Sequence, residues 1–239
     1  MIKKLSLLIT LLFVFQIGQS QVLISLLLGD KLNTGKIEFG LDGGYNYSQM
    51  SGFESGTPLS TFNLGFYFDF LLKNQWFLNT GVLVKSSVGL SNLRESDVFI
   101  LDPTTVYSDS GTYEQKTSYF HVPVAIKYIF KNHFYIHAGP QFALRHKAFL
   151  VFEGEKNAKT VEINTDNRDL FARIEVAAIG GIGYKLRKGK GMNIGIKYFY
   201  GLTNIFADDY FDSRNSSFYA YIGIPIGKEK VENKGTDGN

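Results

Sequence analysis

The 239-residue sequence contains no cysteine. That absence excludes disulfides, thiolate metal sites, cysteine nucleophiles and lipoprotein processing in one step. A surplus of charge is missing as well: 25 Lys and Arg face 22 Asp and Glu, a net +3 that points to no polyanion, and no nucleic-acid partner is expected. Long apolar runs are confined to the amino terminus. Elsewhere no window approaches the ~20 apolar residues that a spanning helix needs. Nor does any motif spell out a reaction, so no catalytic residue, cofactor or metal is expected.

The amino-terminal run has its own explanation. Lys3 and Lys4 precede an apolar stretch from Leu5 to Phe15, and Gly18, Gln19 and Ser20 follow as a small-x-small ending. This is the pattern of a secretory signal peptide over residues 1–20, with a mature chain beginning at Gln21. Residues 21–35 form an amino-terminal segment in which Ile24, Leu26, Leu27 and Leu28 lead to Gly29, a short-helix pattern. A polar tail, 227–239, closes the chain.

What the chain has in quantity is aromatic side chains, 15% of residues, together with 25 glycines and a period-two alternation. From Lys36 to Ser48, Ile37, Phe39, Leu41, Tyr45 and Tyr47 alternate with Lys36, Glu38, Asp42, Asn46 and Ser48. A period of two is that of a strand. The same rhythm recurs over about 61–72, 76–88, 118–130, 134–145, 170–186, 192–202 and 217–226. Connections alternate between tight (73–75, 131–133, 187–191) and long (49–60, 89–117, 146–169, 203–216). The pattern predicts an all-β fold: an eight-stranded antiparallel up-and-down transmembrane β-barrel over 36–226, with short periplasmic turns and long extracellular loops. Basic turns (Lys73, Lys131, Arg187, Lys188, Lys190) and acidic loops (Glu95, Asp97, Asp102, Asp208, Asp209, Asp212) agree with that polarity. A soluble lipocalin-type barrel shares the strand count. Aromatics at strand ends beside short turns, such as Phe70, Trp76, Phe130 and Phe134, favour the membrane.

With the apolar side facing lipid, the polar side fills the lumen. The expected lumen network comprises Glu38, Asp42, Asp69, Lys85, His121, Lys127, His137, Arg145, Arg173, Glu175 and Lys197. Eight strands leave an interior only wide enough for side chains, so these charges must pair. A narrow ion or proton path is the sharper alternative. His121 and His137 face inward on adjacent strands, yet no serine and carboxylate complete a triad around them by spacing. The acidic run Asp208 to Asp212 lacks the spacing of a calcium loop, and the glycines near Gly183 to Gly191 lack that of a phosphate loop.

The runs Tyr119-Phe120-His121-Val122-Pro123-Val124-Ala125-Ile126-Lys127-Tyr128, His137-Ala138-Gly139-Pro140 and Tyr200-Gly201-Leu202-Thr203-Asn204-Ile205 resemble the PorT-like outer-membrane β-barrel proteins of Bacteroidetes. The resemblance implies the barrel fold and the outer membrane. It implies no chemistry, and the secretion role attached to the PorT name does not follow from structural motifs. The expectation is therefore a non-enzymatic scaffold or binding surface. Its partners would be outer-membrane lipid, the barrel assembly machinery during biogenesis and an envelope protein meeting loops 89–117 and 146–169. A lipid-modifying enzyme or a secretion component is the alternative.

Overall fold

The computed structural model describes residues 35–102, 111–156, 159–189, 191–208 and 211–226. The expected signal peptide, the helix over 22–32 and the tail 227–239 lie outside the described residues.

The described strands are β1 (Ile37–Met50), β2 (Thr57–Lys73), β3 (Trp76–Lys85), β4 (Ser87–Leu93), β5 (Gly111–Ile129), β6 (Phe134–Lys156), β7 (Lys159–Asp166), β8 (Ile174–Lys185), β9 (Asn193–Gly201) and β10 (Asn215–Pro225). Helix α1 (Glu95–Leu101) follows β4, and a one-turn helix α2 (Leu186–Gly189) follows β8. Each strand pairs antiparallel with its neighbours, and β1 pairs with both β2 and β10, which closes the sheet. Taking β3 and β4 as one interrupted stave and β7 as a hairpin added to β6, the ring has eight staves, as the alternation predicts.

Register sorts the side chains. Leu41 opposite Ile224 and Tyr45 opposite Phe62 lie on the outer face, while Asp42 and Asn46 point in and are buried. The outer apolar residues of β5 run to Phe130 from Phe120, those of β6 from Phe134 to Leu144, and those of β8 from Ile174 to Tyr184. Ten residue steps tilted by about 40° span about 25 Å, the height of a membrane-facing band. Inward glycines make room for inward tyrosines. A Cβ on Gly40 would stand 2.4 Å from the Tyr67 ring, and one on Gly183 would stand 2.3 Å from Tyr135.

Two expectations need correction. The third rhythm, 76–88, breaks where Leu64 pairs with Lys85 and Gly65 with Leu83. This bulge puts Val84 and Lys85 together on the outer face, so Lys85 is exposed rather than in the lumen, and Val88 turns inward with 1% exposure. The sixth rhythm starts later than expected, at Ile174. Residues Arg168–Leu170 form a 3-10 turn, and Arg173, ahead of the strand, is exposed rather than inward.

The long connections also hold more structure than expected. Strands β5 and β6 continue past the apolar band to pair as far as Gly111 and Gly154, β7 folds back on β6, and α1 lies over the end of the ring. Above the band the alternation changes sign. Apolar residues now face inward, and Met50, Leu90, Leu93, Val98, Leu101, Tyr113, Leu150, Phe152, Phe171, Ile205 and Phe206 form one buried cluster.

Candidate functional site: a filled lumen beneath a folded cap

Inside the band, side chains from every stave meet. Lys127 Nζ lies 2.6 Å from Asp69, whose other oxygen accepts from Asn79 Nδ2 at 2.7 Å. Lys185 pairs with Glu38, which also accepts from the Tyr67 hydroxyl at 3.0 Å. Asp42 accepts from the Tyr219 hydroxyl at 2.7 Å and faces Lys197 Nζ at 3.7 Å. Three lysines thus answer three carboxylates. Their desolvation is further offset by rings: Lys127 lies 4.2 Å from the centre of Tyr135, and Lys197 lies 4.9 Å from that of Tyr219. The Tyr135 and Tyr221 hydroxyls meet at 2.9 Å.

The remaining predicted residues divide. Glu175, 1% exposed, accepts from Asn215 Nδ2 at 2.9 Å. His121 stacks on Phe199 at 5.5 Å, and His137 stacks on Tyr221 at 6.2 Å. His121 Nδ1 is 3.4 Å from Ser86 Oγ, a serine–histidine contact that sequence spacing did not reveal. Both residues are buried in the lumen, and no carboxylate among the described residues bonds to that histidine. Arg145 is half-buried at the rim, where its Nε donates to the Ala172 carbonyl at 3.3 Å. Lys85 and Arg173 take no part. The network members outside the expected set include Lys185, which pairs with Glu38, and the tyrosines Tyr67, Tyr119, Tyr135, Tyr219 and Tyr221. The alternation already turns Tyr67, Tyr135 and Lys185 inward, and the same phase carries Tyr119, Tyr219 and Tyr221, each flanked by outward aliphatic or aromatic residues.

The middle of the lumen holds little free space, whereas its turn end opens into a vestibule of about 330 Å³ bordered by Glu38, Asp69, Gln75 and Lys185. One cavity of about 20 Å³ is bordered by Lys127, His137, Lys197 and Tyr221, and another of about 10 Å³ by Asn63, His121, Gln141 and Lys197. Each has room for about one water molecule and none for a hydrated ion. The buried atoms without a protein partner cluster at the same places: Asn63 Oδ1, His121 Nε2 and Gln141 Oε1 belong to residues around the second cavity. Among the described residues, no group of three or more His, Asp or Glu is placed to hold a metal ion.

The cap is built differently, with an apolar core tied by polar clasps. Asp97 on α1, 2% exposed, accepts from the Ser55 amide at 2.7 Å, the Glu54 amide at 3.3 Å and the Ser55 hydroxyl, which fastens the helix to the β1–β2 loop. Asn204 Oδ1 accepts from the Phe206 and Ser213 amides, both at 3.1 Å, while its Nδ2 donates to the Phe211 carbonyl at 2.9 Å. Ser213 Oγ then donates to the Ser51 carbonyl at 2.7 Å. Below the cluster, Asn167 and Gln115 exchange amide hydrogen bonds of 2.7 and 3.3 Å. The acidic run around Asp212 therefore borders a folded turn, with residues 209 and 210 outside the described chain. Phe99, on the open side of α1, is 62% exposed.

Comparison with known proteins follows this architecture. No curated protein shows significant sequence similarity to the chain. Among solved structures, Ail, the attachment invasion locus protein of Yersinia pestis, aligns with 10% identity over 80% of this chain and 99% of its own, at a TM-score of 0.44. The outer membrane protein OprG from Pseudomonas aeruginosa aligns with 12% identity over 83% and 100%, at 0.39. A model of the outer membrane protein beta-barrel domain matches residues 19–207, and the chain belongs to that family, an integral protein of the outer membrane.

Proposed function

We propose that the protein is a non-enzymatic barrel that carries a rigid extracellular binding surface for a protein partner. The observation behind this reading is a division of labour along the barrel axis. Charged and aromatic side chains fill the membrane-level interior, whereas the loop end is folded around its own apolar core with the aromatic side chain of Phe99 left outside it. Loops that only closed the staves would need no buried core, and exposed loop residues on a rigid scaffold are where recognition concentrates. The Ser86–His121 contact does not favour an enzyme, because lipid and solvent reach neither group. The cavity sizes do not favour a solute pore. Within the family, the Tyr119 to Tyr128 run supports a PorT-like kinship, which bears on fold and membrane and leaves a secretion role unassigned.

The test is photocrosslinking in whole cells. A benzoylphenylalanine at position 99 should give a discrete protein adduct, and one at Phe142 in the lipid-facing band should not. Lipid profiles that change on His121→Ala or His137→Ala, with no adduct from position 99, would replace the binding surface with an enzyme.

A further inference from the structure

At the upper edge of the apolar band the outer surface is divided into two unlike halves. On one side stand exposed aromatic residues: Tyr45 and Tyr47 on β1, Phe62 on β2, Tyr200 on β9 and Phe218 on β10. On the other side, along β3, β5 and β6, cations stand at the edge of the band or within two outward steps above it. The bulge that pairs Lys85 with Leu64 places it on the lipid-facing side, beside Val84. Lys147 pairs with Ser118, which pairs in turn with Ser87, so the three share one face. Lys116, one step higher and half-buried, pairs with Phe149. The His146 ring stacks on outward Phe120 at 4.5 Å. Arg173 is exposed beside this row, its carbonyl accepting from the Arg145 amide at 2.9 Å.

Among the described residues, none of Lys85, Lys116, Lys147 and Arg173 forms an ion pair. The contrast with the lumen is sharp, because there each lysine has its carboxylate. One stave, β5, lies between Lys85 and Lys147, two strand spacings or about 10 Å across the sheet, with Lys85 two residues below the Ser87–Ser118–Lys147 row, and the belt residues Val122, Val124, Phe142 and Leu144 lie beside and beneath them. Apolar side chains that solvate acyl chains, topped by unpaired ammonium groups at interface height, complement a lipid that carries phosphate on its headgroup.

The geometry points to a docking face for phosphate-bearing headgroups of the outer leaflet on β3, β5 and β6, held by Lys85, Lys116 and Lys147 and extended by Arg173. This face goes beyond the proposed partner surface, because it lies on the barrel wall below the cap. The bulge serves it: regular alternation would have turned Lys85 into the lumen.

The test uses the full chain refolded into phosphatidylcholine vesicles, with spin-labelled phosphatidic acid and phosphatidylcholine as probes. Wild-type protein should restrict the anionic probe preferentially at low salt. The Lys85→Gln/Lys116→Gln/Lys147→Gln variant should lose about fivefold or more of that preference, and Lys73→Gln/Lys131→Gln, at the opposite rim, should keep it. Heat-dependent gel mobility establishes that each variant has folded. An unchanged preference in the triple variant overturns the proposal, as does an equal loss in the opposite-rim control. Complete displacement of the lipid probe by inorganic phosphate at matched ionic strength also overturns it, since the row would then be a site for a soluble anion.

Discussion

Lys127 on β5 and Asp69 on β2 meet at 2.6 Å across the full width of β3, with side-chain exposures of 3% and 1%. Asn79 on the intervening strand completes the bridge. The pair ties three consecutive staves together through the lumen, and it is the most deeply buried of the ion pairs among the described residues.

Removing one partner strands the other. Lys127→Met should destabilise the barrel by ~3–5 kcal/mol, whereas Lys127→Met/Asp69→Leu should recover most of that loss, because a buried ion pair contributes little net stability over apolar side chains of similar volume. Denaturant unfolding from vesicles measures both. A double variant no better than the single one would mean that the lumen depends on charge itself.

The glycine–tyrosine contacts make a second prediction. Gly183→Ala places a methyl group 2.3 Å from Tyr135 and should cost ~1–3 kcal/mol as the ring is displaced from Tyr221. Adding Tyr135→Leu should relieve the ring's part of the clash, so Gly183→Ala should cost less in that background while the Ile194 carbonyl, 2.6 Å from the same methyl, keeps part of the cost.

The cap should be separable from the barrel. Asp97→Ala removes the acceptor that holds the β1–β2 loop to α1, and leaving two amides without it should cost ~1–3 kcal/mol locally. Protease cleavage of the cap on intact cells should accelerate, with heat-dependent gel mobility unchanged. Loss of both properties together would show that cap and barrel fold as one unit.

Planar-bilayer recordings should show no discrete conductance from the wild-type chain, because above the vestibule at the turn end the mid-lumen cavities hold about one water each. Regular unitary openings would contradict a filled interior.

Much of this architecture was legible in the sequence wherever apolar side chains face lipid. The outward phases of β5, β6, β9 and β10 could be read directly from Phe120, Ile136, Ile194 and Ile222. Two physical causes hid the rest. The bulge at Val84 and Lys85 adds one residue to a stave and so reverses the side of everything beyond it, Val88 included. Above the band the apolar phase passes from the outer to the inner face, so Tyr113, Leu150 and Phe152 belong to strands although their segments read as loops. Most of the charged lumen residues were legible as inward-facing but not as pairs, because partners such as Asp69 and Lys127 are 58 residues apart in sequence and meet only once β2, β3 and β5 stand side by side.

Connection length orients the barrel, with the folded cap toward the medium and the tight turns toward the periplasm. With no native cysteine, single substitutions report on this without background. A membrane-impermeant maleimide applied to intact cells should label Phe99→Cys fully, and should label Asn74→Cys, in the β2–β3 turn, only after the outer membrane is opened. Labelling of position 74 on intact cells with protection of position 99 would mean that the barrel sits in the opposite orientation.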